Sequence, residues 1–149
     1  MYQMRPRLIH GCVGGEMYAG EKKTRRITVK QARNELPTCL EAGGVCIQGQ
    51  DWGNFNVARI RFPEGADATP LLEGMPGNLC PVPHWGTVLK GSINVRYADG
   101  TEECVKAGDV NYWPPGHTVW VDEDYEAVEF SPGVEMAELI EHLKSKLAD

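Results

Sequence analysis

No apolar run of about 18 residues occurs in this 149-residue chain, so no membrane-spanning helix is expected. The opening residues Met1-Tyr-Gln-Met-Arg-Pro-Arg lack the apolar stretch of a secretory leader. No Cys-x-x-Cys pair is present either. The five cysteines, Cys12, Cys39, Cys46, Cys80 and Cys104, are odd in number and scattered. A disulfide framework or a structural zinc knot is therefore not expected, and a reducing cytoplasm is the expected setting. Basic residues are in deficit: the formal net charge is -6, which argues against nucleic acid as a partner. No internal repeat is found. What is present is 42% hydrophobic residues, enough for one domain with its own core.

The charge is uneven. Residues 1–26 carry six Lys/Arg against Glu16 and Glu21, a net of +4, and the remainder is strongly acidic. Gly11, Gly14, Gly15 and Gly20 punctuate this first stretch, which has little periodicity. It is expected to be an extended basic arm, with residues 27–149 as the single domain. Thr28-Val-Lys-Gln31 resembles a capping box that opens a short helix to Leu36, stopped by Pro37.

Short β-like runs follow: Val45–Gln48, Phe55–Phe62 with Phe55 and Val57 on one face and a break in alternation, and Ile93–Tyr97. Residues 63–83 hold four prolines besides Pro63 and three glycines, which makes a long loop. Long loops inside compact domains are more often functional than idle. Asp99-Gly100 predicts a two-residue hairpin of type I′. Further strands are expected over Thr101–Val105, Val110–Trp113, Thr118–Val121 and Glu126–Phe130. Ser131-Pro132 supplies an N-cap and a first-turn proline, and Met136, Leu139, Ile140, Leu143 and Leu147 follow a 3.6-residue period. An amphipathic helix over 132–148 is expected. Short strands at intervals of about ten residues point to a mainly β chain, an antiparallel barrel or jelly roll.

Two motifs stand out: His84-Trp-Gly-Thr-Val-Leu-Lys-Gly91 and Gly108-Asp-Val-Asn-Tyr-Trp-Pro114-Pro-Gly116-His117. Together, over residues 75–132, they resemble the two-motif signature of the cupins, small β-barrels that usually hold one metal ion and a small ligand. The second motif matches in spacing, but the position of the family's metal-binding histidine is Val119. His117 lies two residues earlier, on the same strand face, about 6 to 7 Å nearer the rim. In the first motif His84 replaces the family's glutamate. The family's His-x-His pair falls on Asn78 and Cys80, or on Gly77 and Leu79, so it is missing.

The resemblance implies a metal group assembled from His84 and His117, with Cys80 or Glu129 as a third ligand and Asn78 as a weaker candidate. Imidazole and thiolate suit zinc, nickel or ferrous iron. Two histidines and one further ligand leave positions for water or a small molecule. A metal-dependent enzyme acting on a small organic acid or carbonyl compound is the implied activity. The alternatives are a metal-free ligand-binding or sensor module, and a metal-free isomerase with His84 or His117 as base and a tyrosine, Tyr97 or Tyr112, as acid. Trp85, Trp113 and Trp120 are expected to pack in the core or at the rim, and His10 and His142 to face solvent. Cys80 is expected to be free at the barrel mouth. A small-molecule ligand is the expected partner, and cupin relatives commonly dimerise, so a homodimer is expected too.

Overall fold

A computed structural model describes residues 30–148. The basic arm at 1–26, His10 and the first residues of the expected helix at 28–36 lie outside the described residues. Of that helix only a 3-10 turn, Arg33–Glu35, stands ahead of Pro37. Ala32 and Leu36 on either side are extended. The Gln31 side chain donates to the Glu35 carbonyl at the end of the turn. A single turn in front of a proline cannot sustain a helix on its own hydrogen bonds.

Nine strands follow: β1 (Thr38–Ala42), β2 (Val45–Trp52), β3 (Phe55–Phe62), β4 (His84–Lys90), β5 (Ser92–Tyr97), β6 (Glu102–Lys106), β7 (Val110–Trp113), β8 (His117–Trp120) and β9 (Tyr125–Pro132). They form a six-stranded sheet, β1-β2-β3-β9-β4-β7, and a three-stranded sheet, β6-β5-β8. Every pairing within the sheets is antiparallel. The chain is mainly β, as expected. The two sheets face each other: Ile60, Val88 and Ala127 from the larger and Ile93 and Val95 from the smaller share one core. Gly91 makes the crossing from β4 to β5 with φ +72°, a conformation costly for any residue with a Cβ.

Helix α1 (Gly133–Leu147) follows β9 directly and buries Met136, Leu139, Ile140 and Leu143. Burial of such side chains contributes about 1.5–3 kcal/mol each, so this stripe suffices to hold the helix on the domain. Among the described residues no helix is long and apolar enough to cross a membrane.

Several local expectations change. The hairpin between β5 and β6 forms, but only Gly100 has positive φ, so the turn is not type I′. Asp99 Oδ1 instead accepts the Thr101 amide at 2.9 Å and fixes a longer turn, closed by Gly100 N–H on the Tyr97 carbonyl. In β3 the buried face is Asn56, Ala58 and Ile60, and the strand pairs without a bulge on both sides. Phe55 and Val57 therefore face outward. There Val57, Phe130, Trp85 and Tyr112 sit side by side in register across β3, β9, β4 and β7. Trp85 stacks on Tyr112 at 5.1 Å and meets Phe55 edge-on at 6.5 Å. Trp85 is thus on the outer face and 41% exposed, whereas Trp113 is 2% exposed in the core. His142 does not face solvent: it is half-buried, and its Nε2 is shielded with no partner among the described residues.

The Pro/Gly-rich loop is not structureless. It carries 3-10 turns at Thr69–Leu72 and Pro76–Asn78 and runs along the free edge of β8. Ala68 N–H bonds the Val119 carbonyl at 3.0 Å, Cys80 N–H bonds the His117 carbonyl at 2.7 Å, and Gly116 N–H bonds the Cys80 carbonyl at 2.8 Å. The loop thereby covers an edge that would otherwise expose unpaired backbone groups.

Candidate metal centre

The fastening of the loop to β8 sets Cys80 beside His117. His84 opens β4 on the opposite sheet and points inward, pairing in register with Trp113 of β7. The two imidazoles meet at a centroid distance of 5.3 Å, nearly perpendicular. Cys80 Sγ lies 3.5 Å from His84 Nε2. One ligand atom from each of Cys80, His84 and His117 lies within 4.8 Å of the others, and all three residues are buried. A tetrahedral ion at about 2.0–2.1 Å from nitrogen and about 2.3 Å from sulfur spaces its ligand atoms by about 3.5 Å. The group fits such an ion with small side-chain adjustment.

Each ring is held from behind. His117 Nδ1 lies 2.7 Å from the Pro114 carbonyl, which can only accept, so Nδ1 carries the proton and Nε2 keeps its lone pair. His84 Nδ1 lies 2.7 Å from Ser131 Oγ, which leaves Nε2 toward the cysteine sulfur. A hydrogen bond to the remote nitrogen is the usual support of a metal-ligating imidazole.

Burial sets the charge states. It pushes the His84 pKa down to about 3, with the neighbouring His117 adding to the effect. His117 is also lowered by burial, against the opposing pull of the Pro114 carbonyl. Both rings are neutral near pH 7, the form that binds a metal. Burial pushes the Cys80 thiol up to about 12, against a smaller lowering effect of the Val82 backbone, and Glu129 adds to the rise. Without a cation Cys80 is a thiol; a divalent ion would deprotonate it.

Glu129 is buried on β9, where burial raises its carboxyl to about 7. Its Oε2 lies 3.7 Å from His84 Nδ1. The proximity is that of an ion pair, but His84 is neutral, so the contact carries little charge attraction. Glu129 lies against the Ser131 side of the ring, and it is not in the group formed by Cys80, His84 and His117. Space for its side chain comes from Gly86, where a Cβ would lie 3.2 Å from Glu129 Cγ and 2.7 Å from the Val128 carbonyl.

Asn78 is outside the site. It is exposed, with φ +56°, and its Oδ1 accepts the Gly74 amide at 3.0 Å. Tyr97 turns its hydroxyl to Glu103 at 2.7 Å, and Tyr112 is 52% exposed on the outer face. Neither lines the cavity, so neither can act there as the acid of an isomerase. Cys80 is free but buried, not at a mouth. Ser131 is the site residue that sequence reasoning missed. Its Ser-Pro context suggests a helix cap, yet helix α1 has no side-chain cap at Pro132, and Ser131 belongs to β9. Its alternation with Glu129 and Ala127 along that strand was the available signal.

The three residues and Glu129 open on a cavity of about 70 Å³ whose other walls are almost wholly apolar, among them Ile47, Ile60, Ile93, Met136 and Leu139. That volume holds an ion with a water or two, or one small functional group.

No protein-family model matches the sequence, and no curated protein matches it. Solved structures do match. An RmlC-like cupin from Shewanella frigidimarina superposes with a TM-score of 0.53 at 17% identity, over 71% of this chain and 92% of that one. A variant of oxalate decarboxylase from Bacillus subtilis superposes with a TM-score of 0.52 at 19% identity, over 68% of this chain. The match spans only 28% of the decarboxylase chain. Identities this low concern architecture and not activity. With two facing antiparallel sheets, the Pro114-Pro115-Gly116 turn ahead of β8 and these neighbours, the chain has the cupin fold.

Proposed function

We propose that this chain is a small-molecule-binding cupin with one divalent transition-metal ion, zinc, iron or nickel, held by Cys80, His84 and His117, and that it acts on a small organic acid or carbonyl compound. The observation that carries the reading is the convergence of three buried donor atoms within 4.8 Å, two of them on neutral imidazoles. A bound ion would supply Lewis-acid polarisation of a ligand oxygen. Ser131 and the Pro114 carbonyl would hold the rings in register with it. Glu129 is the acid–base group: it lines the cavity, and burial raises its carboxyl to about 7, where it can both give and take a proton.

Metal analysis of protein refolded with zinc and then dialysed tests this. The parent should retain about one ion per chain, and His84→Ala, His117→Ala and Cys80→Ala should each lose most of it while keeping a β-rich circular dichroism spectrum. Equal metal content in parent and variants would end the metal reading and leave a metal-free ligand-binding module.

The reading extends to a homodimer in a reducing compartment. The outward row of Val57, Phe130, Trp85 and Tyr112 supports the first, since contiguous exposed apolar groups mark contact surfaces. The free Cys39, Cys46, Cys80 and Cys104 support the second.

A further inference from the structure

Ile47, Phe62, Ala68 and Leu143 each line two spaces at once. On one side is the 70 Å³ cavity with the ligand cluster; on the other is a groove of about 330 Å³. The groove lies between the β1–β2 turn, the loop after β3 and the C-terminal end of α1. Leu40, Val45, Leu71 and Leu147 add to its walls. Cavity and groove thus lie back to back, with these four side chains in their common wall.

Among the described residues, the charges in this space all have one sign. The groove has two charged lining residues, Glu64 and Asp67, both exposed at its outer side. The cavity adds Glu129 and, among the described residues, no lysine or arginine. A carboxylate entering here would pass two acidic groups, leave water without a basic partner and stop beside a third acid. A divalent ion would not reverse this, because a Cys80 thiolate and an ionised Glu129 in the same cavity would together cancel its charge. An uncharged oxygen meets none of these penalties, and a hydrocarbon tail matches walls of Leu, Ile, Val and Phe.

We infer that groove and cavity form one binding passage for an uncharged, mostly hydrocarbon molecule with a single carbonyl or hydroxyl oxygen as its head. The tail lies in the groove along Leu40, Leu71 and Leu147, and the oxygen reaches the Cys80–His84–His117 cluster. Of the two substrate classes above, this selects the carbonyl compound over the organic acid. The placement of the head rests on the proposed metal site; the tail subsite stands without it.

Calorimetric titration of the full chain, zinc-loaded and metal-free, with 2-octanone and with octanoate tests the inference. 2-Octanone should bind both forms, more tightly with zinc, and octanoate should bind at least about tenfold more weakly, because its charge goes uncompensated. Leu71→Glu places a charge in the groove wall, and Ala68→Leu narrows the partition. Each should weaken 2-octanone binding while the retained zinc stays at the parent level. Octanoate binding as tightly as the ketone would overturn the inference, as would unchanged ketone binding in both variants. If the parent holds zinc but binds no ketone in either form, the passage fails and the metal reading stands. If it holds no zinc yet Leu71→Glu abolishes ketone binding, the metal reading fails and the apolar subsite stands.

Discussion

Glu129 and Ser131, two residues apart on one face of β9, both approach His84 Nδ1, at 3.7 and 2.7 Å. They and the histidines give the metal-free protein opposing responses to pH. His84 falls from 6.5 to about 3 on burial, and His117 falls as well. Below about pH 6.5 the unfolded chain takes up protons that the folded rings refuse, so stability declines as pH drops toward 3. Glu129 rises from 4.5 to about 7. Between those values the folded state holds the extra proton, and this stabilising contribution fades as pH rises through 7. Glu129→Gln should delete the second response alone. Relative to the parent, the variant should gain stability between about pH 5 and about pH 8, by at most ~3 kcal/mol for a shift of this size. Urea midpoints at the two pH values check it; a gap that does not change with pH would mean that Glu129 keeps its ordinary pKa.

Among the elements, the crossing at Gly91 tolerates least. A Cβ there would sit 2.2 Å from the Asp124 carbonyl oxygen, whereas one at Gly100, also of positive φ, would meet nothing within 4 Å. Gly100→Ala should cost about 1 kcal/mol, the left-handed backbone penalty alone. Gly91→Ala adds a clash with rigid backbone and should cost more than about 2 kcal/mol. Equal denaturation midpoints for the two variants would show that the β4–β5 crossing yields easily. Gly91 was legible in the sequence, as were Pro114 and Gly116, because a tight turn restricts which residues can occupy it. The inward face of β3 was not. Phe55 and Val57 on one side and Ala58 and Ile60 on the other are all apolar, so periodicity cannot choose between them, and pairing with β2 and β9 decides. The convergence of His84 and His117 was readable from the motifs, but the place of Cys80 depends on a loop-to-strand hydrogen bond that leaves no sequence pattern.

For the whole molecule, that double-sided pattern in β3 has a plain meaning: strands apolar on both faces are usually covered on both. Phe55, Trp85, Tyr112 and Phe130 are between 41% and 52% exposed in the single chain. Light scattering should give about twice the 16.5 kDa chain mass. Trp85→Glu combined with Tyr112→Lys should return it to the monomer value with zinc retention unchanged, since neither side chain lines the cavity. A parent that runs as a monomer at micromolar concentration would refute the dimer.

His84 belongs to the larger sheet, His117 to the smaller, and Cys80 to the loop laced along the edge of β8. An ion gripped by all three would act as a rivet, joining two layers and a strap at one point. Elsewhere those layers are held together by apolar contact, which resists separation but permits sliding. Coordination is directional and resists shear as well. The same three bonds that present a reactive ion would thus set the spacing of the sheets, and with it the width of the space in which a guest molecule must fit.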